Sequence, residues 1–232
     1  MVFLSFNTAI TPADDIGGEL DDADDGEEVP STLRLRHKWV IWKQLMSTGT
    51  KAMAYGESTK QIATCETVEE FWRTWDRLPQ PSELLTKRMV LNVADGFHIL
   101  DALMVFREGV LPQWEDVANA DGGHFQFQLK ASLGKGQIDE YWNNLILGII
   151  GGCIDPVDMI TGVRLVDKLG AGRSNSTGNI RVEVWFNDIK RHKAVQTLQR
   201  NIERCLATKT LEGRIGLVPK AELKNHKLTR HQ

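Results

Sequence analysis

Residues 180–186 read IRVEVWF. In an extended chain Ile180, Val182, Val184 and Phe186 fall on one side, and Arg181, Glu183 and Trp185 on the other. A period of two, rich in β-branched and aromatic residues, predicts a strand with one apolar face. HFQFQL (124–129) repeats the pattern: Phe125, Phe127 and Leu129 share one face, and His124, Gln126 and Gln128 the other. Strands apolar on one side only need something apolar to cover that side. Three stretches with helical spacing supply it. In ETVEEFWRTWDRL (66–78), Thr67 and Glu70 form a capping-box start, and Val68, Phe71, Trp72, Trp75 and Leu78 share a side until Pro79 and Pro81 stop the helix. Gln137–Ile150 carries a stripe of Ile138, Tyr141, Trp142, Leu145 and Ile149, with Gly151 and Gly152 as its C-cap. A third helix follows Asp188 as its cap, with Val195, Leu198, Ile202 and Cys205 facing inward.

Further strands are expected at Trp39–Trp42, Gln61–Thr64, Asp101–Arg107, Val163–Asp167 and near Ile215–Val218, while residues 43–60 read as a loop containing Gly49 and Gly56. The interleaving of strands and helices, without a fixed repeat, predicts one α+β domain.

The chain has 232 residues, 41% hydrophobic and 25% charged, as expected of a soluble globular domain. Its net charge of −3 is unevenly spread. Residues 1–28 hold nine acids and no Lys or Arg, leaving 28 bases against 22 acids, or +6, for the rest. The expectation is an acidic disordered arm over 1–34 and a mildly basic domain over 35–232, suited to phosphate. Three cysteines far apart, without a C-x-x-C, argue against a disulfide framework or zinc site and fit a reducing compartment. The longest apolar run, Ile146–Ile154, is too short for a bilayer, and no leader sequence is recognisable. No nucleophile elbow, zinc-protease or kinase signature occurs, and Asp155, Asp158 and Asp167 read as solvated acids sooner than as metal ligands.

Two stretches bear on ligands. In REGVLPQWED (107–116), Trp114 is followed at once by Glu115 and Asp116. An exposed indole stacks on a base, and more strongly on a cationic ring. A neighbouring carboxylate can accept two parallel N–H bonds from the edge of guanine. Together they suit a positively charged guanine. The plainer reading, a core tryptophan capped by solvated acids, is favoured if only these three residues are considered. In LGAGRSNSTGN (169–179) the glycine spacing is not that of a P-loop, but Arg173, between Lys168 and Arg181, could help hold a short chain of phosphates. The plain alternative is a solvated loop.

Taken in order, HKWVIW (37–42), ETVEEFW (66–72), FREGVLPQWED (106–116), GGHFQFQL (122–129), EYWNNLILGIIG (140–151) and IRVEVW (180–185) resemble the eukaryotic translation initiation factor 4E family, which binds the 7-methylguanosine cap of mRNA. The resemblance covers about residues 35–207. It implies a single curved antiparallel sheet, three long helices on its convex face and a cap pocket on its concave face. By the resemblance, Tyr55 and Trp114 stack on the methylated base, Glu115 accepts its edge protons, and Trp185 contacts the methyl group. Lys168 and Arg181 match triphosphate-binding positions, with Arg173 and His124 as further phosphate candidates. Trp39 and Trp42 match core positions.

The resemblance also implies partners: capped mRNA, and a scaffold of the factor 4G type or a 4E-binding regulator that docks a short helical motif on Val68, Trp72, Asn144, Leu147 and Ile150. Relatives usually carry a carboxylate where Asn144 stands, and a stretch around 86–100 reads as an insertion. The implied protein is a cytoplasmic monomer, with a nuclear pool as a further possibility, that needs no cofactor and no membrane. It recruits capped mRNA for translation initiation. The alternatives are a repressor paralogue that binds cap without recruiting the scaffold and, from a different class, a cap-processing enzyme. The divergence suggests a protist member, trypanosomatid in character.

Overall fold

The alternation in IRVEVWF is that of a strand in the middle of a sheet. The computed structural model describes residues 32–46, 55–85, 88–93, 96–167, 179–207 and 218–229. Its strands are β1 (Arg34–Leu45), β2 (Thr59–Thr67), β3 (Val90–Val93), β4 (Gly96–Arg107), β5 (Gly123–Lys130), β6 (Ile160–Asp167), β7 (Asn179–Phe186) and β8 (Glu222–Asn225). Its helices are α1 (Tyr55–Ser58), α2 (Val68–Trp75), α3 (Lys135–Ile150), α4 (His192–Leu206) and α5 (His226–Thr229). Seven strands run in the order β2-β1-β4-β6-β7-β5-β8, all neighbours antiparallel, and β3 folds back on β4.

Register carries the two-faced pattern across the sheet. Val184 pairs with Phe125 on one side and Val163 on the other, so apolar side chains stack in rows. Phe125, Phe127, Leu129, Val163, Leu165, Ile180, Val182, Val184 and Phe186 are buried in the main core. Helices α2, α3 and α4 cover that face through Phe71 and Trp75, through Ile138, Tyr141, Trp142, Leu145, Ile146 and Ile149, and through Val195, Leu198, Ile202 and Leu206. Phe71, Trp75 and Trp142 form a continuous aromatic stack at 5.3 and 5.7 Å. The sheet with its three covering helices is the expected architecture, although α2 has only eight residues.

Thr67 caps α2 as expected: its hydroxyl accepts from Glu70 N at 3.2 Å, and the Glu70 carboxylate accepts from Thr67 N and Glu66 N. Those backbone donors hold the Glu70 carboxyl below the usual range. Gly122 and Gly123 are needed where β5 enters between its neighbours. A Cβ on Gly122 would stand 1.8 Å from the Phe186 carbonyl oxygen, and one on Gly123 2.4 Å from that of Lys224.

Several expectations need correction. Residues 43–45 and 59–60 belong to β1 and β2, and 55–58 form a helical turn, so 43–60 is not one loop. The first two strands outrun their apolar segments because the ladder continues through Lys and Gln pairs, Lys43 with Lys60 and Gln44 with Thr59. Helix α4 starts at His192, not at Asp188, whose carboxylate accepts instead from Lys190 N in the preceding turn. Cys205 faces inward as expected, half-buried against the core, and Leu206 joins the fully buried stripe. The final strand is Glu222–Asn225, and Ile215–Leu217 lie outside the described residues. The segment read as an insertion forms β3 and the start of β4, with 86–87 and 94–95 outside the description. Of the arm expected over 1–34, residues 1–31 also lie outside it, and Arg34 already begins β1.

Candidate functional site

The sheet face opposite the helices carries a second, smaller core. Ala102, Met104, Phe106, Val166 and Trp185 are buried there, and Trp42, Val110 and Trp114 pack half-buried against them. Phe106 reaches this position across β6. It pairs with Gly162, and any Cβ there would lie 2.4 Å from the phenyl ring. The ring then supports Trp185 edge-on at 5.3 Å. Trp39, by contrast, belongs to the main core, as expected.

Trp114 and Glu115 sit on the loop between β4 and β5. After Gly109, at φ 81°, the chain turns back on itself. Asp116 accepts from Leu111 N at 3.0 Å and Ala118 N at 2.9 Å, while the Asn119 amide donates to the Leu111 and Gln113 carbonyls. Asp116 is therefore occupied in shaping the loop. Its neighbour Glu115 is exposed, with no hydrogen bond or ion pair to another described residue. A carboxylate beside an indole, held by a hydrogen-bonded loop and left uncommitted, is free to accept hydrogen bonds from a ligand.

Two histidines lie behind the indoles. His124 stacks on Trp185 at 5.7 Å, and His226 lies 4.5 Å from Trp185 and stacks on Trp114 at 6.3 Å. His226 Nδ1 is 2.7 Å from the Asn119 carbonyl oxygen, and its Nε2 is 3.1 Å from His124 Nδ1. A carbonyl only accepts, so Nδ1 of His226 carries its proton. His226 Nε2 is then the acceptor, and His124 Nδ1 donates.

Burial pushes His124 down to about 4, against a smaller raising effect of Glu183. The unfolded chain takes up this proton near pH 6.5 and the folded chain only near 4, so stability should fall as the pH drops through that interval. Between pH 7 and 5 the expected loss from this group is about 2 kcal/mol. Urea unfolding at the two pH values measures it. Replacing His124 with Gln should remove most of that loss, and an unchanged difference would rule out this origin.

A charged cluster lies beside Trp185 on the same face. Arg164 of β6 stands opposite Glu183 of β7, next to Arg181. Glu183 Oε2 accepts from Arg164 Nη1 at 3.3 Å and Trp185 Nε1 at 3.0 Å, and Oε1 makes an ion pair with Arg181 Nε at 2.8 Å. Arg164 also donates to Gln44 at 2.8 Å, and its guanidinium lies over the Trp185 ring at 5.8 Å. Burial pushes the Glu183 carboxyl up, but Arg164, His124, Arg181 and the indole N–H more than offset it, so it stays below the usual range.

The face thus gathers Trp114, Glu115, Trp185, Arg181 and His124 from three segments. It does not present all of them. His124 is 4% and Trp185 1% exposed. Their rings are covered by each other, by Phe106 and by His226, so neither reaches solvent and a neutral His124 brings no positive charge to a phosphate. Tyr55 is the first residue of α1, with its side chain outside the description, and Lys168 and Arg173 lie outside the described residues. Arg164, Glu183 and His226 were missed. Arg164 was legible, since alternation with Val163 and Leu165 places it on the Trp185 face. His226 carried no local signal.

On the helical side, Trp72 is half-buried against the core, edge-on to Phe71 at 5.3 Å. Val68, Asn144 and Leu147 are likewise half-buried, and Val68 N donates to the Leu33 carbonyl. Ile150, expected on this surface, is 4% exposed and packs inward.

A family model described as Eukaryotic initiation factor 4E matches residues 34–227. The chain belongs to that family. Among 4E relatives, the translation initiation factor NCBP of Triticum aestivum is 30% identical over 172 residues, 74% of this chain and 63% of its own. Initiation factor 4E of Saccharomyces cerevisiae is 36% identical over 141 residues, 60% and 58% of the two chains. The chain spans about three-fifths of the length of these curated relatives. Among solved structures, C. elegans eIF4E-3, in complex with the 4E-binding protein Mextli and a cap analog, superposes with a TM-score of 0.62 at 22% identity, covering 87% of this chain and 97% of that one. A schistosome eIF4E, complexed with m7GpppG and 4E-BP, gives 0.63 at 20% identity over 87% and 93%. At such identities the likeness establishes the 4E fold.

Proposed function

We propose that this protein binds the 7-methylguanosine 5′ end of mRNA and presents it to the translation machinery through a protein partner. The observation that carries the reading is the pairing, on one ordered loop, of the half-buried Trp114 indole with the uncommitted Glu115 carboxylate, the indole packing on the cluster of Trp185, over whose ring lies the Arg164 guanidinium. Trp114 stacks on the cationic base and Glu115 accepts from its edge. Tyr55 closes the other side of the base. Arg181, with Lys168 and Arg173, meets the phosphates. Trp185 acts from beneath, as the support on which His226 and Trp114 rest, and contacts the methyl group only if the His226 segment shifts. The role is binding and not catalysis. Family membership and the likeness to 4E proteins held in complex with a cap analog and with m7GpppG support this reading.

The partner surface is the half-buried patch of Val68, Trp72, Asn144 and Leu147, which a short amphipathic helix of a factor 4G-type scaffold or a 4E-binding regulator would cover. The neutral Asn144 favours a second reading, a repressor paralogue whose partner is not the usual scaffold. Binding of a scaffold-derived peptide, abolished by Trp72→Ala, would count for recruitment; no binding would favour the repressor.

Intrinsic tryptophan fluorescence, titrated with 7-methyl-GTP and with GTP, tests the main claim. Quenching at much lower concentrations of the methylated nucleotide is expected, and equal responses would refute cap recognition.

A further inference from the structure

The cation cluster on the ligand face contains its own counter-charge. Glu183 is 2% exposed, yet it is a carboxylate in the middle of the sheet. It sits between two cross-strand neighbours, Arg164 on β6 and Gln126 on β5. Both oxygens are engaged, by Arg181 on one and by Arg164 and the Trp185 N–H on the other. Burying a carboxylate is costly unless it is paired and hydrogen-bonded, and here it is both. In return, it determines where two guanidiniums and one indole point.

The same contacts set the local charge. Arg164 and Arg181 would together offer +2 to an incoming phosphate chain, and with Glu183 between them they offer +1. The Arg164 side chain is 11% exposed and that of Arg181 27%, so Arg181 is the more accessible of the two. A ligand phosphate that engages Arg181 approaches the Glu183 carboxylate as well, and like charges in a partly desolvated site repel.

We propose that Glu183 is a specificity-determining residue of the nucleotide site, a built-in anion that holds Arg164, Arg181 and Trp185 in place while reducing the gain in affinity per added phosphate. The proposal rests on the cap-binding reading above. Its consequence is a site that selects its ligand chiefly by the methylated base and less by the length of the phosphate chain.

The test compares 7-methyl-GTP with 7-methyl-GMP by calorimetry, in the full chain and in Glu183→Gln. Glutamine keeps an oxygen to accept from the Trp185 N–H and removes the charge. The ratio of affinities, triphosphate over monophosphate, should rise about tenfold, as expected for removing one unit charge a few ångströms from phosphate at the protein surface. The salt dependence of triphosphate binding should steepen with it. A purely structural role for Glu183 would weaken both ligands alike and leave the ratio unchanged, and that result overturns the proposal.

Arg164→Gln and the double variant Arg164→Gln/Glu183→Gln give the same comparison without an excess buried cation, should Glu183→Gln fail to fold. The double variant should exceed Arg164→Gln about tenfold in the ratio, and equal ratios overturn the proposal. If the unaltered protein binds neither methylated nucleotide, the cap-binding reading fails and this inference with it. If the unaltered protein binds both and the ratios do not move, only the role of Glu183 fails.

Discussion

Replacing Trp114 with alanine should lower affinity for 7-methyl-GTP about a hundredfold. Stacking of a base on an aromatic side chain contributes ~1–3 kcal/mol. The positive charge of the methylated ring adds ~0.5–2 kcal/mol through the indole quadrupole. A combined loss of about 3 kcal/mol corresponds to a factor of about a hundred. The loss should be smaller for unmethylated GTP, by the cationic share that it lacks. Because the indole also rests on His226, the variant's thermal unfolding has to be followed alongside binding. Trp114→Phe, which keeps a ring in the same place, should recover part of the affinity. If Trp114→Ala binds 7-methyl-GTP within threefold of the unaltered protein, the base lies elsewhere.

Glu115→Ala should cost a comparable factor by a separate route. A carboxylate that accepts two N–H bonds makes charge-assisted contacts, each stronger than a neutral pair, and truncating such a partner in a closed complex costs ~2–5 kcal/mol. Glu115 is exposed before binding and has no other described partner, so the effect on folding stability should be small. That separates a binding loss from a folding loss. A ligand change identifies the contact: the 7-methylinosine nucleotide lacks the exocyclic amine. The unaltered protein should discriminate against it, and Glu115→Ala should not. Undiminished discrimination in the variant would remove Glu115 from the base edge. Trp114 and Glu115 are adjacent and would share one ligand, so their effects are not expected to add simply.

Much of the fold was legible because its elements are strongly periodic. IRVEVWF and HFQFQL alternate without a break, and the whole expected stripe of α3 is buried, as are Phe71 and Trp75 of the α2 stripe. The errors fall where backbone pairing outran side-chain pattern. β1 and β2 continue through polar residues because each backbone group finds a partner across the ladder whatever its side chain. The start of α4 was misplaced because Asp188 serves a turn just before the helix, and a residue that bonds two positions ahead looks locally like a cap.

The candidate site divides in the same way. Trp114 beside Glu115 is a relation between neighbours in the chain, and Arg181 with Trp185 is a relation along one strand. Such relations are written in order and period, so the sequence alone set these residues side by side, and the resemblance to the 4E family gave them their expected roles. The sequence by itself also settled which face of each central strand turns to the helices, since a one-residue shift would exchange the faces entirely. It could not say that Glu183 holds Arg164, or that His124 bonds His226 from 102 residues away. Those contacts depend on the order β6-β7-β5-β8, which brings distant segments side by side. Burial then decided their chemistry: where water is excluded, a histidine stays neutral and a carboxylate must find its cations.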